Sequence, residues 1–216
     1  MLNLNGKPML ERQIQRILTV VNPDQLTIAT SSDVSDDLVE SFCDSLGIRV
    51  VRGSLYNVYS RFQQVLNELN CEYFVRLTGD CPFFMPKLFL RMVNRAAESE
   101  FDYFSNTLHR DFPRGLDIEI VKTQSFLQLN QFDLNLEELE HVTLGLYQRP
   151  QIFKVVNYSE NKNLALYRWT VDTAEDYNYA VKVFRYFEGK ESVFEIEDLV
   201  RLMTFDSNYA RLDFKG

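Results

Sequence analysis

Residues that break or staple a chain are scarce here. Eight glycines and six prolines in 216 residues leave no collagen-like, linker-like or low-complexity tract. The three cysteines, Cys43, Cys71 and Cys81, are odd in number, far apart and without the paired C-x-x-C spacing of a tetrahedral zinc site. They read as reduced thiols of a cytosolic protein. No stretch approaches the ~18 apolar residues of a membrane span, and nothing near Met1 has the build of a signal peptide, so a cytoplasmic location is expected. Positive charge is short as well. With 23 Lys+Arg against 31 Asp+Glu the formal charge is −8, which argues against broad nucleic-acid or anionic-membrane binding.

What remains is an ordinary globular composition, 45% hydrophobic and 25% charged, at a length that one domain over 1–216 accommodates. Short β-branched or aromatic runs alternate with stretches of helical period, the pattern of an α/β protein with a mostly parallel sheet flanked by helices. Strands are expected at 26–30, 48–52, 73–78, 102–106, 117–121, 152–157 and 167–171. A first helix starts at Pro8 with Ile14, Ile17, Leu18 and Val21 on one face. A second follows "SSDVSDD" and turns Leu38, Phe42 and Leu46 inward. A third covers about 56–69, with Val58, Phe62, Val65, Leu66 and Leu69 inward, and further helices fall near 86–99, 137–149, 174–188 and 195–204.

Two of these strands end on a carboxylate. In "YFVRLTGDCPF" an apolar ribbon stops at Gly79, Asp80 and Pro82, which ordinary turn chemistry also explains. In "YRWTVDTAEDY" Asp172 precedes Thr173, an N-cap candidate with Asp176 as its capping-box partner, so these acids also suit a helix start. Ligands of open α/β sheets sit beyond the carboxyl ends of strands. Two aspartates projecting from one such edge suit Mg²⁺, which is held by one or two carboxylates plus substrate phosphates and would stabilise a leaving pyrophosphate.

The ordered set "NGKPMLERQIQR" (5–16), "ATSSDVSDD" (29–37), "VVRGSLYNVYSRF" (50–62), "VRLTGDCP" (75–82), "DYFSNT" (102–107), "PRGLDIE" (113–119), "EHVT" (140–143) and "RWTVDTAED" (168–176) covers most of the chain. It resembles the SpsF-type spore-coat polysaccharide cytidylyltransferases, relatives of the CMP-sugar synthetases. The resemblance implies a Rossmann-like, GT-A-like nucleotide-diphospho-sugar transferase fold and transfer of CMP from CTP to an acidic sugar, with pairing of two copies through the region after the fourth strand. On that analogy Asp80 and Asp172 hold the metal, and Thr30, Ser31, Arg52 and Arg61 handle the nucleotide. Arg114, Asp117, Glu119 and His141 handle the sugar.

The residues themselves leave some of these roles open. Arg114, after a proline in a loop, offers a planar fork suited to a carboxylate, or to plain solvation. Asp117 and Glu119 alternate with Ile118 and Ile120 and so share one strand face, either as a half-exposed edge strand or in sugar-hydroxyl recognition. His141 suits donation to a substrate, or a structural place in the first turns of a helix. Arg61 lies within the third helix, where a solvated face is the plain alternative.

The sequence departs from the family at its start. It opens at the segment that follows the family's first strand and its G-x-R-x-x-S-x-R-L-P-G-K loop, and "MLNL" (1–4) is too short to stand in for that strand. The expectation is a shortened copy with an impaired triphosphate site and with two strands left unpaired beside the gap. Asn57, where many relatives carry aspartate, is a smaller departure. Two other readings share the pattern. A glycosyltransferase of the same fold would want D-x-D where this chain has "GDCP", and a non-catalytic paralogue would bind a full-length partner.

Overall fold

The computed structural model describes residues 2–213. It opens with a hairpin, β1 (Asn3–Leu4) against β2 (Lys7–Pro8), turned by Asn5 and Gly6 at φ 52° and 81°. An Asn-Gly pair is the residue choice for a two-residue turn with both central φ positive. Pro8 then caps α1 (Met9–Ile17), where its fixed φ and missing N–H cost nothing.

Beyond α1 the chain alternates as expected, through β3 (Thr27–Ser31), α2 (Asp37–Ser45), β4 (Arg49–Gly53), α3 (Val58–Glu68), β5 (Tyr73–Arg76), α4 (Pro86–Ala97) and β6 (Tyr103–Ser105). Then come β7 (Glu119–Lys122), α5 (Thr123–Gln128), α6 (Leu136–Glu140), α7 (Leu144–Tyr147), β8 (Val155–Asn157), α8 (Ala174–Tyr186) and α9 (Ile196–Phe205).

The sheet is divided. β3 and β4 pair in parallel, and a separate sheet runs β5-β7-β6-β8. β6 and β8 are parallel, whereas β7 runs antiparallel to both of its neighbours, so the expected mostly parallel sheet is mixed. Because β7 is an interior strand, "DIEIV" is no half-exposed edge. Ile118 and Ile120 are buried, and so is Glu119. β3, β4, β5 and β8 each keep one side without a ladder among the described residues.

Several local expectations shift. The run 167–171 is no ladder strand. It makes isolated bridges, Arg114 to Arg168 and Tyr167 to Leu212. On α2 it is Cys43, with Val39 and Phe42, that packs inward against Ile14, Ile28 and Ile48, while Leu38 and Leu46 are exposed. The expected helix 137–149 breaks between α6 and α7 at Val142, whose φ of 55° is rare for a β-branched residue. The break is compensated: Val142 is fully buried in the core under α3, and Thr143 reaches the Glu119 carboxylate. His141 therefore caps the end of α6 instead of lying in the first turns of a helix.

The largest core gathers around Phe83, which meets Trp169, Tyr179, Phe184 and Phe194 at ring separations of 5.4–6.3 Å. One buried cation ties α1 to it. Arg16 donates to the carbonyls of Phe84 (2.5 Å), Glu191 (2.6 Å) and Phe194 (2.6 Å), and its guanidinium lies 4.0 Å from the Phe194 ring centre. Burial pushes its pKa down to about 10, against the opposing pull of Glu195, and it stays charged at neutral pH. Replacing Arg16 by Met keeps most of the volume but leaves three carbonyls without donors. At ~1–3 kcal/mol for each unsatisfied buried group, the variant is expected to lose about 3 kcal/mol or more. Urea unfolding with an unchanged m-value and a lowered midpoint is the expected result.

Candidate active site

After β5 the chain turns at Thr78–Asp80 and dives, burying Cys81, Phe83, Phe84 and Met85. That descent leaves Asp80 at the rim. Its backbone carbonyl accepts the Val171 amide at 2.9 Å, and its carboxylate accepts the Thr170 hydroxyl at 3.1 Å and the Cys81 thiol at 3.4 Å. The Gln13 side chain, from α1, holds the Thr78 carbonyl at 2.8 Å. The two carboxylate-bearing segments are thus adjacent, with Asp172 next in the chain after the backbone bond that joins them.

Asp172 is exposed and pairs with Arg168, four residues before it. Arg168 is buried. Its Nε also reaches Asp176 at 3.3 Å, and its Nη1 lies 3.8 Å from Asp213. Asp176 has a fully buried side chain and accepts from the amides of Asp172 (3.2 Å) and Thr173 (3.1 Å) and from Arg211 Nη2 (3.0 Å). The capping box with Thr173 is present. Burial alone would raise the Asp176 pKa. Hydrogen bonds from Thr173, Arg211 and the Asp172 amide, with Arg168 nearby, hold it below the usual carboxylate range.

Arg114, half-buried, donates through Nε to Asp213 at 2.8 Å. Asp117 is clasped by Arg110 through both oxygens at 2.7 and 2.8 Å. Glu119 lies deeper, opposite Arg76 in the ladder, and gives its two oxygens to Arg76 (2.7 Å) and Thr143. His141 is exposed on the α6–α7 turn.

The other four sequence candidates gather at the carboxyl ends of β3 and β4. Thr30 and Ser31 hydroxyls donate to Asp36 at 2.8 and 2.6 Å, and Arg52 spans the Ser31 and Asp33 carbonyls together with Asp37 and Glu40. The Ser31 hydroxyl, aided by Thr30 and Arg61 against the opposing effect of burial, lowers the Asp36 pKa. Arg61 reaches across from α3 toward the Ala29 carbonyl at 3.5 Å, and its Nε is buried without a partner among the described residues. No hydrogen bond or ion pair joins this group to Asp80 or Asp172 among the described residues.

An Mg²⁺ ion fits the donor set in one way. Among the described residues no group of three or more His, Cys, Asp or Glu is placed to hold a metal. Two hard carboxylates on adjacent segments, with Asp172 Oδ1 free of hydrogen bonds to described residues, match an ion that draws its remaining ligands from water and phosphate.

Arg168, Asp176, Arg211 and Asp213 escaped the sequence reading as site residues. The spacing Arg168 to Asp172, i to i+4 inside "RWTVD", was the available signal for the first. Nothing local announces that residues 211–213 fold back onto the rim.

Because the Asp176 pKa is depressed in the folded state, its contribution to stability is present above the unfolded value near ~3.9 and is lost as pH falls through the lower folded value. The stability gap between the wild type and Asp176→Asn, read by urea unfolding, should therefore be wide at pH 7 and narrow below about pH 4.

Comparison with known proteins identifies the family. Residues 1–205 match the family described as Cytidylyltransferase. The chain is 32% identical over 183 residues to the spore coat polysaccharide biosynthesis protein SpsF of Bacillus subtilis, covering 83% of this chain and 75% of that protein. A cytidylyltransferase structure from Leptospira borgpetersenii superposes with a TM-score of 0.91 at 26% identity, covering 100% of this chain and 90% of that one. The structure of CMP:2-keto-3-deoxy-manno-octonic acid synthetase with CTP aligns at a TM-score of 0.65 and 15% identity, over 86% and 90% of the two chains, and speaks to fold alone. The chain belongs to the cytidylyltransferase family and has its Rossmann-like nucleotide-sugar transferase fold.

Proposed function

We propose that this chain transfers CMP from CTP to an acidic sugar in surface or spore-coat polysaccharide synthesis, with Mg²⁺ held between Asp80 and Asp172. The observation that supports the reading is the Val171–Asp80 backbone bond, which brings together the two backbone segments that carry these aspartates in a chain of this family. In the reaction a sugar hydroxyl attacks the α-phosphorus of CTP, the bond from that phosphorus to the bridging oxygen of the β-phosphate breaks, and pyrophosphate leaves. Bound Mg²⁺ supplies charge neutralisation for the phosphates.

The chain's own groups do the positioning. Arg61, with a buried donor to spare, suits an anionic nucleotide, and Arg114 suits the acceptor's carboxylate through its planar fork. Asp117 and Glu119 serve the sugar side through Arg110, Arg76 and Thr143, whose orientations they set. Thr30, Ser31 and Arg52 act by fixing the 31–37 loop around Asp36 beside the nucleotide.

Pyrophosphate release from CTP, Mg²⁺ and a panel of 2-keto-3-deoxy sugar acids tests this directly. Asp80→Asn and Asp172→Asn should each abolish Mg²⁺-dependent release while shifting Tm by less than about 4 °C, as expected for substitutions outside the core. Undiminished release by either variant removes that residue from the metal site. Turnover of UDP-sugars without CTP would replace the proposal with a glycosyltransferase.

A further inference from the structure

The C-terminal segment joins the two halves of the proposed site. Residues 211–213 lie beside 166–168: the Asp213 amide donates to the Leu166 carbonyl at 2.7 Å, the Arg168 amide donates to the Arg211 carbonyl at 2.9 Å, and Leu212 bridges Tyr167. This pairing delivers side chains of opposite sign to one rim. Arg211 goes to Asp176, and Asp213 goes to Arg114, with Arg168 as its more distant second partner.

Arg114 is held at both ends. Its amide donates to the Tyr167 carbonyl at 3.1 Å, and its carbonyl accepts the Trp169 amide at 2.6 Å. Gly115 follows at φ 103°, and a Cβ there would meet the Trp169 and Thr170 backbone at 2.5 Å, so only glycine lets the loop lie this close. At the far end of the side chain, Asp213 uses Nε alone. The two terminal nitrogens of Arg114 make no hydrogen bond to the described residues, and the side chain is 38% exposed against 9% for Asp213.

A guanidinium can present a pair of N–H groups along its Nε edge or at its Nη1/Nη2 end. Asp213 engages the first, and the second meets no hydrogen-bond acceptor among the described residues. We infer that Asp213 is a positioning residue for the acceptor: by holding Nε it fixes the plane of the Arg114 guanidinium, so that Nη1 and Nη2 meet the sugar's carboxylate as a preformed pair. The inference rests on the reading that Arg114 receives that carboxylate. Its physical content is preorganisation, since a long exposed arginine otherwise loses rotamer freedom when the ligand arrives. A carboxylate that merely stood in for the substrate would occupy the terminal fork instead.

Calorimetric titration with 2-keto-3-deoxy-manno-octonic acid and with N-acetylneuraminic acid, in the presence of Mg²⁺ and CTP, tests it through the sign of one change. Asp213→Asn should weaken sugar-acid binding by roughly 3- to 10-fold, the size of one immobilised side chain, with CTP binding unchanged and partial recovery in Asp213→Glu. Tighter binding in Asp213→Asn would mean that Asp213 competes with the substrate. That result, unaltered binding, or no binding of either acid by the wild type overturns the inference. Binding without pyrophosphate release leaves it standing and defeats the transfer reading alone. Independently of any ligand, the Arg114 Nε–H resonance, assigned by its loss in Arg114→Lys, should exchange slowly in the wild type and fast in Asp213→Asn. Fast exchange in both overturns the inference.

Discussion

The molecule depends on two helices doing what no backbone ladder does. Among the described residues β3 and β4 are hydrogen-bonded to each other and to no strand of the larger sheet. Side chains make the join instead, from both faces. On one face Ile14 of α1 packs with Ile28 and Val50, while Gln13 and Arg16 of the same helix bind carbonyls of the main body. On the other, Arg61 and Gln64 of α3 lie over Gly53, and Tyr59 and Leu66 of that helix enter the core around Val121 and Phe126. The Arg16 guanidinium is the most demanding of these contacts, because its burial is tolerable only while its carbonyl partners stay in place.

The rim chemistry follows from the same placement. Gln13 anchors the turn before Asp80, and the descent through Phe83 fixes the residue after it. Around these anchors, aspartates and arginines alternate from Asp172 through Arg168 to Asp176 and Arg211, and from Arg168 through Asp213 to Arg114. Such alternation lets buried charges coexist at low cost, since every ion has a partner of opposite sign and oriented donors. It also leaves the carboxylate of Asp172 and the side chains of Arg114 and Arg211 partly in solvent.

The order of elements was legible because β-branched runs and helical periods alternate cleanly, and most strand positions fell within a residue or two of where the pattern put them. The polarity of β7 was not. Glu119 and Asp117 look the same in sequence whether their strand is interior or at an edge, and the difference lies in Arg76, Thr143 and Arg110, which arrive from elsewhere. The inward face of α2 was misjudged because Cys43, small and easily passed over beside leucines, fits where Leu38 and Leu46 do not. Asp80 and Asp172 were legible as carboxylates that follow extended segments, although β5 ends at Arg76 and the run before Asp172 forms only isolated bridges. The adjacency of their segments came from the Val171 amide and the Thr170 hydroxyl, both donating to Asp80, which no periodicity encodes, and the contribution of residues 211–213 came from tertiary folding alone.

A sheet divided in this way has a mechanical consequence. Backbone bonds that cross a seam share load along a row, and their rupture is cooperative, whereas side-chain contacts give way individually. Among the described residues the pair β3–β4, with Thr30, Ser31 and Arg52, therefore takes its position against the sheet that carries Glu119 from side-chain contacts of α1 and α3, contact by contact.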